Sequence, residues 1–141
     1  MAGSFSDFLE LEILDHVFGK ATYTAPDNIY AALFTTAVTD TGGGTEVSAA
    51  TWTNYARVAI TNNDTNFPAA SGGAKANGAI IDFGTATMDP TTATVAVTHI
   101  ALIDTSGSGN YLAWADLTTP KTINHGDPVT IPVGDLDITL A

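Results

Sequence analysis

The chain contains no cysteine and only four Lys and Arg residues. It also has no apolar run near the roughly 18 to 20 residues that a membrane-spanning helix needs. Each shortage removes a class of function. Without thiols there is no disulfide framework and no thiolate nucleophile, so stability must come from packing or assembly. Lys20, Arg57, Lys75 and Lys121 stand singly along the sequence, leaving no clustered cations for the phosphate contacts that dominate nucleic-acid binding. The same scarcity weighs against an anionic membrane surface. Carboxylates are the abundant charge: 15 Asp and Glu give a formal net charge of −11, although charged residues make up only 13% of the chain. The N-terminus lacks the basic and apolar regions of a secretory signal, which predicts a protein made and kept in the cytoplasm.

A length of 141 residues predicts one domain over 1–141. Residues 4–19 carry the helical period. Phe5, Phe8, Leu9, Leu11, Leu14, Val17 and Phe18 recur at steps of three and four. Ser4 or Ser6 can cap the helix, Asp7, Glu10 and Glu12 suit the positive end of its dipole, and Gly19 stops it. The apolar stripe of this amphipathic helix must be covered, by the protein's own sheet or by a partner subunit.

From residue 27 to 141 the period is two. Segments 29–36, 55–61, 79–83, 95–104, 111–117, 129–133 and 136–140 are short and rich in Val, Ile, Thr or aromatic residues, and an eighth candidate covers 47–52. No helices alternate with them, so an antiparallel sandwich or small barrel is expected rather than a parallel βαβ sheet. In 95–104, Val95, Val97, His99, Ala101 and Ile103 share one face, with Ala96, Thr98, Ile100, Leu102 and Asp104 on the other. Both faces are largely apolar, the pattern of a central strand. Val129, Ile131 and Val133, with Leu136, Ile138 and Leu140, form a further inward set. Two long loops of small residues, 37–45 and 62–78, have little to bury and read as functional or disordered.

Signs of catalysis are sparse. His16, His99 and His125 lack partner patterns, and there is no HExxH, GxSxG or P-loop. Asp135 and Asp137 form a D-x-D pair and Asp64 follows two asparagines, but neither fits a calcium loop, so they read as solvated acids. No catalytic residue, metal or cofactor is assigned, and a non-enzymatic role is expected. Arg57, the single arginine, lies in Tyr55-Ala56-Arg57-Val58 among apolar neighbours. It is expected to hold a carboxylate of its own domain in a bidentate pair, with Asp82 and Asp116 as candidates, or to make an ion pair across a subunit contact.

The order Ser4-Phe5-Ser6-Asp7, Leu14-Asp15-His16-Val17-Phe18-Gly19-Lys20, Ile29-Tyr30-Ala31-Ala32-Leu33 and Tyr55-Ala56-Arg57-Val58 resembles a family of small virion proteins of tailed bacteriophages. So do Thr98-His99-Ile100-Ala101-Leu102-Ile103-Asp104, Gly109-Asn110-Tyr111-Leu112-Ala113-Trp114 and Lys121-Thr122-Ile123-Asn124-His125-Gly126-Asp127. Members are described as head decoration or cement proteins and as tail-fibre-like proteins. The resemblance implies an antiparallel jelly-roll-like β-sandwich with one N-terminal helix, sitting on the outer surface of the capsid. There it would clamp neighbouring major capsid proteins as a homodimer, with a trimer as the other state. The alternative it implies is a tail-associated fibre or receptor-binding module. The expected contact residues are Phe5, Phe8 and Leu9 of the helix, Gly43 in the first long loop, and Phe67 and Pro68 in the second. Phe67 has a competing role, folding back over its own core.

Overall fold

A computed structural model describes residues 3–139. Strand β1 (Gly3–Phe5) leads into helix α1 (Asp7–Val17), followed by β2 (Asn28–Phe34), β3 (Val58–Thr61), β4 (Ala74–Ala76), β5 (Ile81–Thr85), β6 (Thr94–Ile103), β7 (Tyr111–Asn124), β8 (Pro128–Ile131) and β9 (Asp137–Thr139). All pairings are antiparallel. Five strands form one sheet in the order β1-β7-β6-β2-β3, while β5 pairs with β8 and β4 with β9. The mainly antiparallel β fold with one short N-terminal helix is as the sequence predicts, and it is compatible with a jelly-roll-like sandwich.

The central position of β6 matches its two apolar faces, but the assignment of residues to faces changes midway. Its pairing with β7 shifts register between Val97 and His99, where β7 advances from Lys121 to Asp116. The pairing is irregular here on both strands, with five steps of β7 against two of β6, and the alternation of β6 itself breaks at Thr98 and His99. Ile100 and Leu102 therefore join Val95 and Val97 in the main core, while Ala101 and Ile103 pack with Ala32, Phe34 and Val38 on the opposite face. The main core centres on Trp52, Phe83, Met88 and Leu112.

The ends of several elements differ from expectation. Ser4 and Phe5 are in a strand rather than in the helix, because β1 pairs with β7, Phe5 standing opposite Ala113. Residues 47–52 form no strand and contribute one isolated bridge, Trp52 to Met88. Strand β7 runs seven residues past the predicted end, through Pro120, since the bulge accommodates a residue that cannot donate a ladder hydrogen bond. Val133, expected inward, is exposed. Leu140, at the end of the last predicted strand, lies outside the described residues, as do Met1, Ala2 and Ala141 of the predicted domain.

Neither long loop is slack. In 37–45, Thr39 and Gly42 exchange backbone hydrogen bonds of 3.1 and 2.8 Å, and Val38 is buried over the outer face of the sheet. Gly42 sits under the Tyr111 ring, where a Cβ would lie 2.7 Å from Cδ2, and its φ of +88° favours glycine independently. In 62–78, the Asn63 side chain accepts from the Thr65 and Asn66 amides, and β4 pairs with β9. Asn77, buried, donates to the Ala79 and Pro132 carbonyls and accepts from the Gly134 and Leu136 amides, so all four of its side-chain bonds are made.

Candidate docking site

Helix α1 begins at Ser6, whose backbone is extended and whose Oγ accepts from the Leu9 amide at 3.2 Å. The same hydroxyl donates to the Tyr111 carbonyl, and the Ser6 amide donates to Leu112 at 3.0 Å. At 1% exposure, Ser6 is both the helix cap and the rivet joining helix to sheet. The Asp7 amide bonds to the Asp40 carbonyl, and the Trp114 indole N–H to the Asp40 carboxylate at 3.0 Å, adding the 37–45 segment to this joint. The far end closes through the Phe18 amide on Leu14, the Lys20 amide on Asp15, and Gly19 at φ +84°.

Anchored in this way, the helix packs its first turn inward. Phe5, Phe8 and Leu9 are partly buried against the main core, so these three expected contact residues are largely used within the fold. The rest of the stripe is left outside. Leu11 is 64% exposed, Leu14 53%, Val17 63% and Phe18 79%, and α1 has no fully buried residue. With 3.6 residues per turn these four fall within an arc of about 120°, one continuous apolar face. Four large apolar side chains exposed side by side are characteristic of a partner site rather than of scattered surface residues. Asp7 and Glu10 lie in the same arc at the N-terminal end of the face and Asp15 flanks it on one side, with Lys20 bonded to Asp15 at 2.9 Å. Asp7 to Val17 contains four carboxylates, one histidine and no Lys or Arg.

The other expected contact residues are distributed differently. Phe67 is 3% exposed within the main core, so of its two roles it takes the one inside its own fold. Pro68 is exposed beside it, against Gly78. Gly43 is exposed at φ +84°, and its carbonyl accepts from the Tyr111 hydroxyl at 3.2 Å. Arg57 does hold a carboxylate of its own domain, but the partner is Glu46, a residue sequence reasoning passed over. Its Nε lies 3.0 and 3.2 Å from the two Glu46 oxygens, Nη2 lies 2.8 Å from Oε2, and Nη1 donates to the Thr105 and Gly107 carbonyls. The candidate partners are engaged elsewhere: Asp116 pairs with His99 across β6 and β7 at 2.8 Å, and Asp82 accepts from the Gly84 amide. Glu46 was hard to find because it lies eleven residues away, and the bridge from Phe34 to Glu46 is what carries it to the arginine.

Arg57 and Tyr55 share Glu46 as an acceptor. The Tyr55 hydroxyl donates to Glu46 at 3.0 Å and accepts from the Leu33 amide at 2.9 Å. Burial pushes this phenol well above the ordinary tyrosine range, the Leu33 hydrogen bond pulls it down, and the Glu46 charge raises it again. The Glu46 side-chain hydrogen bond likewise raises the Arg57 guanidinium, and burial opposes it. The network ties the 46–57 segment to the hairpin at 105–107.

A cleft of about 600 Å³ opens between the second half of β7 and β8, lined by Val97, Leu117, Thr122, Val129 and Asp135 among others. Pro128 and Pro132 on one rim, and Pro120 in the bulged stretch of the other strand, lack the N–H groups that an added strand would use, so these edges are blunted. Among the described residues no group of three or more His, Asp or Glu side chains could hold a metal ion. Among the described residues no helix is long and apolar enough to cross a membrane.

A family model described as podophage GP4 fiber I protein gp80 matches residues 4–139, which covers helix and sheet together. No curated protein matches the chain.

Proposed function

The chain belongs to the Gp80 family, podophage GP4 fiber I protein gp80, and from this membership we propose that it is a non-catalytic fibre component that attaches to another virion protein through α1. A structural virion protein of a tailed phage is what the family establishes, and the family description favours the fibre branch of the expected roles over capsid cement. The observation that supports attachment is the exposed run Leu11, Leu14, Val17 and Phe18 on a helix whose base is fixed to the sheet at Ser6. A module fixed in this way presents a preorganised surface, so little ordering entropy is lost on binding. Attachment of this kind needs no chemistry; its stability follows from mass action at each binding site.

The test is location. Gold-labelled antibodies raised against the purified protein, applied to intact phage, are expected to label the tail and its fibres. Labelling spread evenly over the head would contradict the fibre role and restore the capsid-cement one.

A further inference from the structure

We propose that the outer face of α1 docks into an apolar groove rimmed by Lys or Arg on a different virion protein, rather than on a second copy of this chain. The inference rests on the attachment role above and specifies the chemistry of the partner. The apolar content is a stripe of four large side chains over two turns, the anchor pattern of helix-in-groove recognition. The border is acidic at its N-terminal end, at Asp7 and Glu10, and along one side, at Asp15.

Charge decides among the possible occupants. A second copy would bring the same bordering carboxylates against these, on a body already carrying a formal charge of −11. Among the described residues, the Lys nearest in sequence to the face, Lys20, is already bonded to Asp15. Like charges across a contact oppose it, whereas a basic rim gains complementary potential and a faster encounter. A lipid surface is the wrong chemistry as well, because interfacial helices carry Lys and Arg on the polar face and α1 has neither between Asp7 and Val17. Placing the two signs on different proteins also lets an acidic subunit remain apart from its own copies until it meets its acceptor.

The experiment is a titration of the purified full chain onto phage particles assembled without it, at about 0.05 and about 0.5 M NaCl, where screening lengths differ severalfold. Wild type is expected to bind, and to bind several-fold more weakly at the higher salt. Leu14→Asp and Phe18→Asp change side chains that already face solvent, so both are expected to fold, as circular dichroism will verify, and to bind about tenfold or more weakly. Glu10→Lys is expected to weaken binding and flatten its salt dependence, while Val133→Asp, exposed on another part of the surface, is expected to bind as wild type does. Analytical ultracentrifugation of the free protein is expected to show no self-association that Leu14→Asp abolishes. If wild type does not bind the particles, the attachment role itself fails. If it binds and the helix variants bind equally well, or if Glu10→Lys strengthens binding, or if ultracentrifugation shows self-association lost in Leu14→Asp, attachment stands and this inference is wrong.

Discussion

The Glu46, Tyr55 and Arg57 cluster shows how one carboxylate can organise a region by accepting from two side chains at once. Tyr55 is packed at 5.4 Å from Trp52 and stacked at 6.3 Å on Phe83, ring centre to ring centre, so its phenol is desolvated and favours the neutral form. The sign of the pH effect follows. In the unfolded chain a tyrosine loses its proton near pH 10, while the folded protein retains the Tyr55 proton well above that. The folded state then binds more protons than the unfolded one, and stability falls as pH rises past about 10. Alkaline denaturation followed by circular dichroism is expected to show this decline, with a much smaller one in Tyr55→Phe measured against its own neutral-pH stability. Equal declines in the two proteins would place the sensitive group elsewhere. The sequence identified Arg57 as a bidentate ion-pair donor but not its acceptor, because the acceptor depends on which strand neighbours which. Phe67 is the reverse case: a lone aromatic among small residues carries the same signal whether it faces a partner or its own core.

At the scale of elements, helix α1 was legible in its period and its caps, and β6 in its two apolar faces. The irregularity that puts Ile100 and Leu102 on the face of Val95 and Val97 was not, since a pattern of apolar residues on both faces does not show where the alternation of β6 breaks. The exposed half of α1 was partly legible: the stripe was evident, but not that its first turn would be covered by the sheet and the rest left outside. The joint at Ser6 accounts for that division. Replacing Ser6 with Ala removes the cap on Leu9 and the hydroxyl donated to the Tyr111 carbonyl, at a cost of about 1 to 3 kcal/mol. The loss is expected to be local. Hydrogen exchange of amides 7–10 should quicken well beyond that of β2 and β6. Uniform quickening across the sheet would show instead that the joint supports the whole fold.

The molecule as a whole is an acidic antiparallel β body bearing one helix with an uncovered apolar face. Under the proposed docking its charge and its surface act together, since a formal charge of −11 would hold copies apart while drawing the body to a basic acceptor. The apolar face then contributes the short-range part of the binding, where shape and burial decide how long the contact lasts. A virion structural protein that docks in this way needs both properties, solubility before assembly and retention after it. A reconstruction of the intact virion at side-chain resolution tests this account most directly, by showing what covers Leu14 and Phe18. The account predicts that both are buried in a groove of another polypeptide, with Lys or Arg side chains of that polypeptide beside Asp7, Glu10 or Asp15. Finding the α1 face open to solvent on the assembled particle, with the subunit attached through a different surface, would contradict it.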